Sequence, residues 1–199
     1  MRLARNSLIV CLCASLLLLA QSQFKTLPAD SYPSHQNVGK MKLAAVKYES
    51  DEETRMAFGK VNPNEYGILP VYLILENTGD QTLLLDKMRV TYQYSGNEVM
   101  PTPAQDLAFA IGPKRPSNNP KYPLPIPLPA KKNPLNAVEL QTRAFAAKTM
   151  LRGENAAGFF YFETRHHRNA IIYVTGVREA LTNKELFYAE VPLDSPTPN

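Results

Sequence analysis

Val71-Tyr72-Leu73-Ile74-Leu75 is an unbroken apolar and β-branched run, closed by the turn-forming residues Asn77-Thr78-Gly79-Asp80. The run is short and has no polar position on any side, so it predicts a strand buried on both faces. Beyond the turn, Met88, Val90, Tyr92 and Tyr94 alternate with Arg89, Thr91 and Gln93. That is the period-two pattern of a strand with one face in the core. Ser95-Gly96-Asn97 ends it with a second turn, and the economical reading of residues 71–97 is an antiparallel meander.

The rest of the chain supplies more strands of the same kind. Residues 41–48, 159–163, 170–175 and 186–191 read as strands, and 56–61 as a short extended segment before the Asn62-Pro63-Asn64 turn. Residues 165–169 and 181–184 read as connecting turns. Between positions 113 and 134 the composition changes. Prolines at 113, 116, 120, 123, 125, 127, 129 and 134 remove amide donors too often for a central strand. This stretch is expected to be polyproline II or an extended loop.

One helix is expected, over residues 136–151. Ala137, Leu140, Ala144, Ala147 and Leu151 follow 3-4-3-4 spacing, Asn136 and Glu139 have the spacing of a capping box, and Gly153 marks the stop. The helix is expected to lie against the sheets. Residues 23–40 read as a flexible polar leader and 194–199 as a disordered tail. A single domain over 41–193 remains, mainly β, an antiparallel β-sandwich with a proline-rich loop and one inserted helix.

Arg2 and Arg5 precede an apolar run over residues 8–19, and Ala20-Gln21-Ser22 places small residues at −3 and −1 of a cleavage point. This is the anatomy of a signal peptide spanning residues 1–22, cut after Ser22, and it predicts a secreted or periplasmic protein with no stable membrane span once it is removed. Both cysteines, Cys11 and Cys13, would leave with it. The mature chain would then have no disulfide and no thiol nucleophile, and its core alone must stabilise it. The formal charge of +4 falls to about +2 without Arg2 and Arg5. The remaining basic residues are scattered or broken up by prolines, which gives no electrostatic case for nucleic acid.

Candidate chemistry is sparse. His166 and His167 are adjacent, but neighbouring side chains of an extended segment point apart, and Arg165 and Arg168 would repel a cation. The acidic run 49–53 lacks the glycine of a calcium loop and reads as a charged loop. The aromatic residues of 159–162 read as core and sheet face. There is no nucleophile elbow, zinc-protease motif or phosphate-cradling loop. Neither a catalytic residue nor a metal ligand nor a cofactor site is assigned, and the chain reads as non-enzymatic. The interaction candidates are Tyr122, Leu124, Ile126 and Leu128, in the alternating proline stretch. A pre-ordered polyproline segment suits an aromatic groove on a partner, such as an envelope protein. The same side chains would also serve to cover the chain's own core.

Gly67-Ile68-Leu69-Pro70-Val71, Glu76-Asn77-Thr78-Gly79 and Ala157-Gly158-Phe159-Phe160-Tyr161-Phe162 carry a resemblance. The chain resembles small bacterial exported immunoglobulin-like domains of unknown function, in outline over residues 41–193. The resemblance implies an immunoglobulin-like sandwich and transfers no catalytic residue. The expected function is that of an exported, non-enzymatic binding or envelope-associated accessory module. The alternative is an envelope enzyme or metal-binding protein whose site forms near the acidic run and the 165–169 turn.

Overall fold

The computed structural model describes residues 24–110, 133–186 and 188–194. The signal peptide over 1–22, the interaction candidates Tyr122, Leu124, Ile126 and Leu128, and the last five residues lie outside the described residues. In chain order the strands are β1 (His35–Val38), β2 (Met41–Lys47), β3 (Leu69–Asn77), β4 (Leu83–Leu84), β5 (Arg89–Tyr94) and β6 (Asn97–Val99). They continue with β7 (Pro101–Thr102), β8 (Thr149–Met150), β9 (Asn155–Phe162), β10 (Ile171–Thr175), β11 (Arg178–Glu179) and β12 (Ala189–Pro192). A five-stranded sheet in the order β1-β2-β3-β9-β7 packs on a four-stranded sheet in the order β12-β10-β5-β6, and β11-β4-β8 form a small third sheet. Every pairing of these strands is antiparallel. The protein is therefore mainly β, a β-sandwich.

The pleat of β3 explains why its sequence is apolar throughout. Leu69, Val71, Leu73 and Leu75 enter the sandwich core with Val90 and Tyr92 of β5 and Ile172 and Val174 of β10. Tyr72 and Ile74 point the other way, into a second core beneath the helical segments, with Phe58, Leu107, Leu135, Leu140, Phe159 and Tyr161. Each fully buried aliphatic or aromatic side chain contributes roughly 1.5–3 kcal/mol. The two cores lie on opposite faces of one sheet, so the central strand must be hydrophobic on both.

Several expectations are corrected. β3 and β5 do not form a meander; they belong to different sheets, because the chain after Asn77 enters β4 first. Asn77 is buried and sets that exit. Its side-chain amide donates to Gln81 O at 2.7 Å and Leu151 O at 3.0 Å, while its Oδ1 accepts from Gly79 N–H at 3.0 Å. The acidic run 49–53 is a loop only at Glu49 and Ser50 and is helical from Asp51. Ser50 and Glu53 form a capping box, and residues 51–58, including 56–58 of the segment 56–61 read as extended, are the helix Asp51–Phe58. The last strand begins at Ala189, later than expected.

The leader is not loose from residue 24 onward. β1 pairs with β2, Ala29 N–H donates to Glu76 Oε1 at 2.8 Å, and the Phe24 ring lies 5.0 Å from Tyr72 under the Arg143 guanidinium, 4.6 Å away. These contacts offset the low hydrophobicity of the segment.

The expected helix over 136–151 shrinks to Val138–Thr142, preceded by a 3-10 turn, Pro134–Asn136. Asn133, not Asn136, provides a cap, accepting from Leu135 N–H at 3.0 Å. From Arg143 the chain instead pairs with β9 at Phe159, just beyond the stretch that β7 covers. Phe159 N–H donates to Arg143 O at 2.8 Å, and Phe145 N–H to Phe159 O at 3.0 Å. Gly158 permits the crossing, since a Cβ there would sit 2.4 Å from Phe145 Cα. Residues 137, 140 and 144 therefore pack in the second core, 147 against the sandwich core, and Leu151 is exposed.

Candidate functional site

The loop 163–170 joins β9 to β10 and crosses one end of the sandwich. Its two histidines diverge, as adjacent residues in extended chain do. His166 turns inward, with its side chain only 9% exposed, and its Nε2 lies 2.8 Å from Asp194 Oδ1. With the proton on Nε2 the ring donates to that carboxylate, and Nδ1 faces Tyr92 Oη at 3.4 Å. His167 turns outward and stacks on Tyr94, with ring centroids 3.7 Å apart and planes within 4°.

Asp194 collects the network. Oδ1 also accepts from Lys47 Nζ at 2.7 Å, and Oδ2 accepts from Asn169 N–H at 2.7 Å. Lys47 reaches Glu49 Oε2 at 3.0 Å, and His167 N–H donates to Tyr92 Oη at 2.6 Å. Burial opposes ionisation of Asp194, but the hydrogen bonds from Lys47, Asn169 N–H and His166 outweigh it and hold the carboxyl well below the usual range. Burial would likewise lower Lys47, and hydrogen bonds to Asp194 and Glu49 reverse this, leaving the ammonium above its ordinary value. Burial raises the Tyr92 hydroxyl, partly offset by the His167 N–H. The residues thus link β2, β5, the 163–170 loop and the end of β12 in one latch, and Asp194 belongs to the fold rather than to a disordered tail.

The acidic run and the 165–169 turn, far apart in sequence, do meet here through Glu49, Lys47 and Asp194. Their polar atoms are directed at one another. Among the described residues no group of three or more His, Cys, Asp or Glu side chains gathers at metal-binding spacing.

On the outer side of the same loop the arrangement is different. The hairpin β5–β6 turns through Ser95 at φ 45° and Gly96 at φ 79°, a two-residue connection with both residues left-handed, as a tight hairpin requires. Between this hairpin and the loop lies an open concavity of about 320 Å³, walled by Gln93, Tyr94, Ser95, Asn97, Glu98 and Asn169. Its volume is at the low end of the roughly 300–1,000 Å³ of small-molecule sites. None of the side chains of Ser95, Asn97, Glu98 and Asn169 is hydrogen-bonded to another described residue.

Two other concavities are less open to a ligand's polar groups. Beside the helix Asp51–Phe58, Asn62 is bonded to Asp51 at 2.6 Å. Below β10, Glu185 accepts from Gly176 N–H at 2.8 Å and Arg178 is paired with Asp86 at 2.8 Å.

Sequence reasoning found His166 and His167 but missed Asp194, Lys47, Tyr92 and the hairpin wall. Lys47 and Asp194 are 147 positions apart, and no local pattern joins them. The aromatic residues of β9 are core on both faces: Phe159 and Tyr161 in one, Phe162 in the other.

No family model matches the chain, and no curated protein is similar to it. Among solved structures, a candidate lipoprotein from Bacillus subtilis subsp. subtilis str. 168 aligns over 81% of this chain and 38% of its own length, with a TM-score of 0.42 and 10% identity. The chain thus spans well under half of that neighbour. No helix among the described residues is long and apolar enough to cross a membrane.

Proposed function

We propose that this chain is an exported, envelope-associated β-sandwich of immunoglobulin-like type that works by binding rather than by catalysis. The observation that carries this reading is the pairing, on one loop, of a self-satisfied latch with a concavity whose Ser95, Asn97, Glu98 and Asn169 side chains bond no other described residue. The latch spends its histidine and carboxylates on holding the loop, which is what a rigid presenting surface needs. The export half rests on the basic and apolar pattern of residues 1–22. Tyr122, Leu124, Ile126 and Leu128 are proposed as a further contact for an envelope protein partner.

Edwise strand exchange has less support than a side-chain surface. The edge beside β2 is taken by β1, and β12 bears Pro192 and meets Gln36, whose Oε1 accepts from Glu190 N–H at 2.9 Å. The test is N-terminal sequencing of the protein recovered from the envelope, followed by a pull-down from envelope extract. The reading expects Gln23 as the first residue and a recovered partner that is lost when residues 121–130 become a polar linker. A cytoplasmic, uncleaved chain would overturn it.

The convergence of Glu49, Lys47, Asp194 and His166 favours one second reading, an enzyme or metal-binding protein with its site at the latch. Displacement of the His166 ring resonances by stoichiometric Zn²⁺ would support that reading against the first.

A further inference from the structure

We infer, on the reading of residues 1–22 as a signal peptide cut after Ser22, that residues 24–29 are a strap whose docking shields the cleavage site, so that the cut precedes closure of the second core. Phe24 is then the second residue of the mature chain, and the fold engages it directly. Its half-buried ring packs in the second core, with centroids 5.0 Å from Tyr72, 5.6 Å from Phe159 and 6.1 Å from Tyr48. The Arg143 guanidinium lies over the same ring at 4.6 Å. Two residues on, the Thr26 hydroxyl is bonded to Tyr72 Oη. Ala29 is buried, and its N–H donates to Glu76 Oε1 at 2.8 Å. Tyr72 and Glu76 belong to β3 and Phe159 to β9, so the strap is fastened to strands formed far along the chain.

Cleavage hydrolyses the Ser22–Gln23 peptide bond: water gives its hydroxyl to the Ser22 carbonyl carbon and its proton to the Gln23 nitrogen. A peptidase needs the chain around that bond extended and free of tertiary contacts, so in a folded protein it acts on the locally opened form. A docked Phe24, the second residue beyond the bond, withholds that stretch. Opening it takes the ring away from three aromatic rings and a cation, and breaks the hydrogen bonds of Thr26 and Ala29. Each contact is modest, but they are lost together, which makes the open form scarce. A precursor held at the peptidase conversely leaves Tyr48, Tyr72, Phe159 and Arg143 without the ring that covers them. None of residues 24–29 enters the sandwich core, so that core can form before the cut. The strap takes its place last, and its docking marks the mature protein.

The experiment follows cleavage of the folded full-length chain, held in a mild non-ionic detergent, by purified signal peptidase, with intact-protein mass spectrometry as the readout. Phe24→Ala removes the docked ring. Tyr72→Phe removes the hydroxyl that Thr26 binds and leaves the sequence around the cut unchanged. Neither residue belongs to the sandwich core, so both variants are expected to fold, which near-ultraviolet circular dichroism checks. Both are expected to be cut after Ser22 faster than the natural chain, Phe24→Ala by about tenfold and Tyr72→Phe by about threefold. Equal rates for all three chains, with Gln23 at the new N-terminus, would overturn the strap and leave the export reading standing. Acceleration by Phe24→Ala alone would also overturn it, because the peptidase would then be reading residue 24 itself. Absence of a cut after Ser22 in every chain would overturn the strap and the export reading together.

Discussion

The latch and the concavity share the loop 163–170, and they differ in where their polar groups are directed. On the inner side, Asp194 takes hydrogen bonds from Lys47, His166 and Asn169 N–H, and Tyr92 takes one from His167 N–H. On the outer side, Asn97, Glu98 and Asn169 line an open hollow. Residue composition does not separate the two regions, since both hold acids, amides and an aromatic ring. What separates them is saturation. A group with its partners supplied by the fold stabilises the fold, and a group without them is available to a ligand.

The largest effect that would test this contrast comes from Asp194→Ala. It removes the shared acceptor and leaves the buried His166 ring and the half-buried Lys47 with fewer partners, which should cost about 3 kcal/mol of unfolding free energy. Chemical denaturation monitored by near-ultraviolet circular dichroism measures it. A cost below about 0.5 kcal/mol would make the latch no different from an exposed surface pair.

The acid limb of stability gives the next effect, and its sign follows from the direction of the Asp194 shift. The folded carboxyl is held below its unfolded value, so its contribution is present above about pH 3.9 and is lost as pH falls through the folded value. Stability of the natural chain should therefore drop on acidification below the ordinary carboxylate range, and Asp194→Asn should remove part of that slope. Lys47 acts in the opposite sense: its raised folded value contributes below about pH 10.4 and is lost as pH rises above it. Identical acid limbs for the natural chain and Asp194→Asn would mean that this carboxyl does not support the fold.

A smaller effect is expected from Tyr92→Phe. The ring stays in the core against Phe162 at 5.7 Å, but His167 N–H loses its acceptor. The expected cost is about 1–2 kcal/mol, with faster hydrogen exchange at the His167 amide and little change at β10. Uniform acceleration across β5 and β10 would show instead that the substitution disturbs the core.

The two regions were unequally visible in the amino-acid sequence, and the reason is range. Residues 71–75 announced a strand buried on both faces, and residues 88–94 a strand with one face inside, because a strand's burial is written in adjacent positions. The capping box of Ser50 and Glu53 was equally local, and the clustered acids around it obscured it. Helical spacing over 137–151 misled, because a favourable local period lost to an available sheet edge: Gly158 lets Phe145 pass, and β9 offers its backbone to Arg143 and Phe145. The latch could not be read at all, since its members come from β2, β5, a loop and Asp194, two residues past β12. The concavity was half legible, as the Ser95-Gly96 turn was foreseen but its opposing wall at Asn169 was not.

The smallest expected effect on stability is the one that sharpens the contrast most. Asn97→Ala removes an exposed amide at the start of β6, where no described residue bonds to it, so the unfolding free energy should change by no more than about 0.5 kcal/mol. Asp194→Ala and Asn97→Ala act on opposite sides of one loop, so the pair separates a group that the fold saturates from one that no described residue bonds. If the saturation argument is right, Asn97→Ala leaves the denaturation midpoint in place. Asp194→Ala lowers the midpoint and releases the Asn169 N–H. A double variant should then show additive losses in stability, because Asn97 shares no hydrogen bond with the latch. Strong coupling in stability would mean that the hollow is part of the latch, and the boundary between them would have to be redrawn.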